Sequence, residues 1–153
     1  MRTIRVQAED FDIGAEWDAL TKGRSEVGAV VAFAGLVRGG EGLTELTLEH
    51  YPGMTEREIA RHVEEAETRW PILGVTVIHR VGRLEPGERI VLVAVAGAHR
   101  AAAFDAAEFL MDYLKTRAPF WKQERRGTES VWVEARESDA YAAGRWRNEL
   151  AKF

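Results

Sequence analysis

The sequence contains no cysteine among its 153 residues. Disulfides, thiolate zinc sites and a cysteine nucleophile are therefore excluded. Any sulfur handled by this chain must arrive on another molecule. The sequence also lacks an apolar run of the length of a signal peptide or a membrane span, which leads us to expect a cytoplasmic protein.

An excess of positive charge is also missing, since the formal net charge is −4 at pH 7. Proteins that bind duplex nucleic acid usually carry a positive field, so this class is disfavoured. Hydrophobic residues make up 46% and charged residues 30% of the chain, as in ordinary soluble proteins. We expect one domain over residues 1–153, with a single core.

The hydrophobic periodicity predicts the element order β-α-β-β-α-β-β-α-β-β-α, which contains several hairpin-like neighbours. The fold class expected is α+β, with a mostly antiparallel sheet and helices packed on it. Residues 28–38 are apolar on both faces and predict a buried strand. A long helix is predicted from about His99 to Arg117, with Phe104, Ala107, Met111 and Leu114 along its apolar stripe.

A basic segment lies at residues 115–126, where five basic residues accompany a single acidic one. Lys115 and Lys122 flank Pro119, so the end of the helix and the start of the next strand can bring both amines to one pocket. A lysine beside other cations loses its proton more easily and can act as an acid, base or nucleophile. The alternative is a basic cluster that only compensates the dipole at a helix C-terminus, and such clusters are frequent.

A second basic site is predicted where a buried strand meets the long helix, at Ala98, His99 and Arg100. Backbone N–H groups at a helix start carry partial positive charge, and the two cationic side chains would complete an anion site. The alternative is that His99 merely caps the helix while Arg100 points into solvent.

The other polar residues give weaker signals. His62 lies among acidic residues of a helix and is expected at the surface, whereas His50 and His79 are expected to be structural. No short spacing of metal ligands occurs, so we expect neither a metal nor another cofactor. No G-x-S-x-G elbow and no P-loop is present.

Several segments closely resemble the large, catalytic subunit of molybdopterin synthase. The tract from Met111 to Lys122, Met-Asp-Tyr-Leu-Lys-Thr-Arg-Ala-Pro-Phe-Trp-Lys, is very specific. The similarity extends from about Gly28 to Trp146. The other runs that carry it are 28–38, 46–56, 69–71, 75–82, 98–100 and 132–139.

This resemblance implies a sulfur transfer on an α/β-hammerhead-like fold. A small ubiquitin-like subunit would carry sulfur as the thiocarboxylate of its C-terminal Gly-Gly and thread this tail into the large subunit. The sulfur would pass to cyclic pyranopterin monophosphate, and a second loaded small subunit would complete the dithiolene of molybdopterin. The resemblance also implies a homodimer within a heterotetramer.

The resemblance assigns the family's two essential lysines to Lys115 and Lys122. The phosphate- and pterin-binding positions fall on the following residues: Leu36, Val37, Arg38, His99, Arg100, Gln123 and Glu124. Leu36 stands where the family usually has lysine, so one cation of the usual anion site is missing. Arg136 matches a family arginine that reaches the pocket of a neighbouring subunit.

Two other functions remain open. The chain would be a non-catalytic scaffold if it captured a ubiquitin-like tail or a phosphate ligand without turnover. A single-stranded RNA binder would use Phe120 and Trp121 as a stacking platform, although the negative net charge argues against it.

Overall fold

Three helices and eight strands follow one another along the described part of the chain, which comprises residues 1–133 with 144 and 146 in this computed structural model. The helices are α1 (Ile13–Thr21), α2 (Met54–Arg69) and α3 (Arg100–Thr116). The strands are β1 (Arg2–Gln7), β2 (Ala29–Leu36), β3 (Leu43–His50), β4 (Ile72–Arg80), β5 (Gly82–Leu84), β6 (Arg89–Gly97), β7 (Phe120–Arg126) and β8 (Glu129–Val133). The α+β class is confirmed; the order differs from prediction only by the three-residue β5 and by the terminal helix, which falls largely outside the described residues.

The strands form two sheets of four, where the sequence predicted one. The first has the order β1-β4-β6-β2 and is antiparallel except for the parallel pair of β1 and β4. The central strands β4 and β6 are almost wholly buried, because α3 packs on one side of this sheet and α1 contacts both strands.

Strand β2 differs from its prediction, because it forms the edge of this sheet and is not buried. Phe33 and Leu36 are exposed along it. Strand β2 pairs with β6 along one edge only, and its other edge has no neighbouring strand in the described part of the chain. The apolar sequence of residues 28–38 therefore does not indicate burial here.

The second sheet has the order β5-β3-β7-β8 and is antiparallel throughout. The predicted hairpin of β7 and β8 is confirmed, and Gly127 adopts a φ of 62° in its turn. Glycine accepts this left-handed conformation without the steric cost that a side chain brings.

Helix α3 lies on the first sheet through a face rich in alanine. Ala103, Ala106 and Ala107 are buried there, together with Leu110 and Leu114. Phe104 was predicted on this apolar face but is 59% exposed. The small alanine side chains allow the helix to approach the sheet closely, and Phe104 lies off that face. No helix in the described ranges is long and apolar enough to cross a membrane.

Candidate active site

A cavity of about 740 Å³ lies where the two sheets meet the C-terminal end of α3. It is bounded by the end of β2 and the glycine-rich segment that follows, by β3, β7 and β8, and by the last turn of α3. The lining residues are Leu36, Val37, Arg38, Gly39, Gly40, Glu41, Leu43, Leu46, Ile90, Lys115, Lys122, Glu124, Arg126 and Val133. Such a volume is typical of small-molecule sites.

Lys115 and Lys122 both line this cavity, on either side of the turn at Pro119. Lys115 lies in the last turn of α3 and follows the buried Leu114, which packs into the core. Lys122 lies on β7, paired with Leu48 of β3. The two amines therefore belong to two different elements that are both fixed by core packing.

Thr55 fixes the turn between the two lysines. Its hydroxyl is fully buried, donates a hydrogen bond to the carbonyl of Pro119 (3.1 Å) and accepts one from the N–H of Tyr51 (3.0 Å). The start of α2 is thus tied to the turn that separates α3 from β7. This contact was not foreseen, because nothing in the local sequence links residues 64 positions apart.

Strand β7 presents alternate residues to the cavity, as its pleat requires. Lys122, Glu124 and Arg126 line the cavity, whereas Gln123 does not. Arg126 was not among the predicted site residues, although its spacing of two from Glu124 along a strand indicates the same face.

Arg126 connects β7 with the glycine-rich segment after β2. Its guanidinium donates to the Glu124 carboxylate at 2.6 Å and to the backbone carbonyl of Glu41 at 3.1 Å. Glu41 adopts a φ of 51°, between two glycines that also have positive φ. The arginine therefore holds an otherwise weakly packed segment over the cavity.

The end of β2 places Leu36, Val37 and Arg38 along the cavity. Val37 is buried and exchanges backbone hydrogen bonds with Gly87 (2.7 Å) and Glu88 (2.9 Å). Leu36 is 59% exposed and contributes no charge at the position where the resemblance leads one to expect a lysine. The backbone of this segment is thus anchored on the turn before β6, which places Arg38 at the cavity.

His99 and Arg100 lie at the opposite end of α3 and do not line the cavity. At about 1.5 Å of rise per residue, about 22 Å of helix separates Arg100 from Lys115. Both side chains are exposed, and His99 occupies the N-cap position without making a side-chain capping hydrogen bond. Arg136 lies outside the described residues.

The histidines of the protein have different surroundings. His62 is buried, contrary to prediction, because it stacks on Tyr113 of α3 with ring centroids 3.4 Å apart. His79, predicted to be structural, is buried and stacks on Phe120 with ring centroids 4.0 Å apart. Burial lowers the pKa of His79 to about 4, so this ring is neutral at pH 7.

The cavity combines four cationic side chains, Arg38, Lys115, Lys122 and Arg126, with the carboxylates of Glu41 and Glu124. This arrangement can bind an anionic ligand and place an amine beside it for proton transfer. Within the described ranges, no three His, Asp or Glu side chains lie close enough to share a metal ion.

The sequence matches the family model "MoaE protein" over residues 6–117. The chain belongs to the MoaE family. A molybdopterin synthase catalytic subunit from Mesorhizobium japonicum is 61% identical over 149 residues, which cover 95% of this chain and 94% of the relative. This MoaE chain is thus similar to its relative along nearly its whole length, including the segment around Lys122 that lies beyond the family match.

Solved structures agree with the fold of this MoaE chain. The molybdopterin biosynthesis MoaE protein from Burkholderia ambifaria has a TM-score of 0.83 at 48% identity, covering 95% of this chain and 98% of that one. A chain in the complex of subunits 1 and 2 of molybdopterin-converting factor from Helicobacter pylori has a TM-score of 0.72 at 20% identity, covering 88% and 91%. The latter likeness concerns the fold alone.

Proposed function

We propose that this chain transfers sulfur from the C-terminal thiocarboxylate of a small ubiquitin-like subunit to cyclic pyranopterin monophosphate, forming the dithiolene of molybdopterin. At the coarser level it is an enzyme of molybdopterin biosynthesis, as its MoaE membership and its similarity to a named catalytic subunit indicate. The observation that carries the finer proposal is the presence of Lys115 and Lys122 in one cavity with a mixed-charge lining.

The two lysines have different tasks in this proposal. The thiocarboxylate sulfur bonds to a carbon of the substrate, and water then attacks the resulting thioester through a tetrahedral adduct, which breaks the acyl C–S bond and returns the tail as a carboxylate. Lys115, held by the packing of α3, stabilises charge on this adduct and transfers the protons. Lys122 holds the carboxylate end of the tail through its positive charge. Because the chain has no cysteine, the sulfur stays on the carrier until it reaches the substrate.

The substrate phosphate is assigned to Arg38, His99 and Arg100, because charge-assisted hydrogen bonds and a helix start suit this group. Within one chain the length of α3 separates the last two residues from the cavity. We therefore assign His99 and Arg100 to the cavity of a second copy, in a homodimer with one small subunit on each chain. The small partner is consistent with the relative from Helicobacter pylori that is described in a two-subunit complex.

The test is reconstitution with thiocarboxylated small subunit and cyclic pyranopterin monophosphate, with dithiolene product as the readout. Product should form with the loaded partner and not with this chain alone. Equally rapid product formation from inorganic sulfide would contradict the role of the carrier. Binding of both ligands without turnover would instead support the non-catalytic scaffold.

A further inference from the structure

His79 is the one buried histidine that borders the two lysines. A second, small cavity of about 30 Å³ lies beneath the main one, and His79, Lys115, Lys122 and Phe120 all contribute to its walls. The ring of His79 is 7% exposed and stacks on that of Phe120. The sulfur transfer proposed above gives this residue no task.

The hydrogen bond of His79 determines which ring nitrogen carries the proton. Nδ1 lies 2.8 Å from the backbone carbonyl of Arg80. Since a carbonyl oxygen only accepts, Nδ1 must carry the hydrogen and donate it. In the neutral ring Nε2 is then left with a lone pair and can only accept a hydrogen bond.

Two lysines and a second histidine also act on this ring. Burial is the main cause of the lowered pKa of His79, and the positive charges of Lys122, Lys115 and His50 of β3 lower it further. His50 itself lies 3.6 Å from the carboxylate of Glu56, measured from Nε2 to Oε1. Three elements, α3, β7 and β3, thus place cationic or ionisable groups around one neutral acceptor.

We propose that His79 is a positioning residue for the lysine pair, whose Nε2 accepts a hydrogen bond from the ammonium of Lys122 or Lys115 through one water molecule in the small cavity. The small cavity has room for such a water, which needs roughly 10–15 Å³ and two to four polar partners. This inference rests on the proposed function, because it explains how an amine in that site keeps its proton.

The consequence is that the ammonium making this contact is held in place in its charged form. A hydrogen bond accepted from the charged form of an amine opposes the loss of its proton. A neutral imidazole supplies this acceptor without adding a third positive charge. The lysine that makes the contact thereby stays available as a proton donor to the reacting sulfur.

The chain offers a matched control in His62. This ring is also buried, also stacks on an aromatic ring and also places Nδ1 near a backbone carbonyl, that of Glu58, at 2.9 Å. The charges that act on it are those of Arg61, Glu65 and Arg117, and neither cavity lysine is among them. Replacement of His62 with phenylalanine thus makes the same chemical change without touching the lysine pair.

The experiment is an NMR titration of the lysine side chains, labelled with 13C at Cε, in wild type, His79→Phe and His62→Phe. Lys115→Arg and Lys122→Arg variants assign the two signals. In His79→Phe the pKa of at least one of the two lysines should fall by about one unit, the size expected for loss of one charge-assisted hydrogen bond. His62→Phe should leave both lysine pKa values unchanged. His79→Gln, which keeps a hydrogen-bond acceptor, should return the lysine pKa most of the way to its wild-type value.

Equal lysine pKa values in wild type and His79→Phe would overturn the proposal. If His79→Phe does not fold, 15N spectra of wild-type histidines decide the matter, since a protonated Nε2 on neutral His79 would overturn it. Neither measurement uses substrate, so they can fail while turnover in the reconstituted system succeeds. In that system the high-pH limb of the turnover profile should shift down with the lysine pKa, which a purely structural role of His79 would not produce.

Discussion

The two ends of α3 carry basic residues in contrasting surroundings. At the C-terminal end, Lys115 lines a cavity whose walls come from both sheets, and the buried Thr55 holds the turn that separates it from Lys122. At the N-terminal end, His99 and Arg100 are exposed, and the side chain of His99 makes no capping hydrogen bond.

The contrast shows what one chain can supply by itself. The C-terminal end has the features of a reaction centre, because its two lysines line one cavity and belong to elements that are held by core packing. The N-terminal end has the charge for an anion but no enclosing wall among the described residues. In our account a second copy of the chain provides that wall, and the two ends of α3 then serve two different cavities.

The largest effect is expected from changes at the C-terminal end. Lys115→Ala should abolish single-turnover conversion while the small subunit still docks, since positioned proton transfer contributes on the order of 10²–10⁴-fold in rate. Lys122→Ala should leave reduced but measurable activity. Docking is checked by size-exclusion chromatography, and Lys22→Ala, at the exposed end of α1, is the control that should behave as wild type. Near-normal turnover by Lys115→Ala would contradict a catalytic role of Lys115 and would indicate that the basic segment only compensates the helix dipole.

Mixing two impaired chains at low substrate tests whether the two ends of α3 meet across a dimer. Dimers reassembled from equal amounts of Lys115→Ala and Arg100→Ala chains should regain about a quarter of wild-type activity at low substrate, because half of them are mixed and each mixed dimer has one intact site. Recovery should be absent if both residues act within one chain. The separate variants, treated in the same way, are the controls.

The element order was largely predictable because strands and helices differ in local periodicity, as β7 and β8 illustrate. The edge position of β2 was not, since sequence patterns do not show how many neighbours a strand has. The prediction that Phe104 lies on the buried face of α3 was wrong for a related reason. The helix packs through its alanines, which give a weak hydrophobic signal in the sequence. The predicted surface position of His62 was wrong, because the ring is buried against Tyr113, which lies on another helix and has no signal in the local sequence.

The site was predictable where its residues are close in sequence. Lys115 and Lys122 are separated by one turn, and the cavity contains both. The tie between Thr55 and Pro119, and that between Arg126 and Glu41, depend on tertiary structure and have no local signal. The distance of His99 from the cavity is visible in the length of the predicted helix, although only the structure locates the cavity at its far end.

A smaller effect is expected from a change at the N-terminal end of α3 alone. Arg100→Ala should weaken binding of pyranopterin monophosphate by roughly 1.5–3 kcal/mol, the range for a charge-assisted hydrogen bond. Isothermal calorimetry at low and high salt measures the loss, which should shrink as salt screens the phosphate. Arg61→Ala, on the exposed face of α2, is the control, and unchanged affinity of Arg100→Ala at both salt concentrations would refute the phosphate assignment.

The pH dependence of stability tests the burial of neutral His79 without substrate. The pKa of His79 is about 4 in the folded protein and 6.5 as its ordinary value. The neutral ring contributes its full share to the free energy of unfolding above pH 6.5. This share is lost as the pH falls toward 4, because His79 binds a proton in the unfolded chain but not yet in the folded one. Between pH 7 and pH 5 wild type should lose about 2 kcal/mol more free energy of unfolding than His79→Phe, measured by urea denaturation. Equal losses would show that His79 is not buried in its neutral form.

The central claim is that the cavity performs catalysis and does not merely bind a tail and a phosphate. Single-turnover conversion by Lys115→Arg, with docking of the loaded small subunit verified, tests it most directly. Arginine keeps the positive charge but does not release a proton near neutral pH. The account predicts normal docking with turnover lost, whereas near-wild-type dithiolene formation by Lys115→Arg would contradict it.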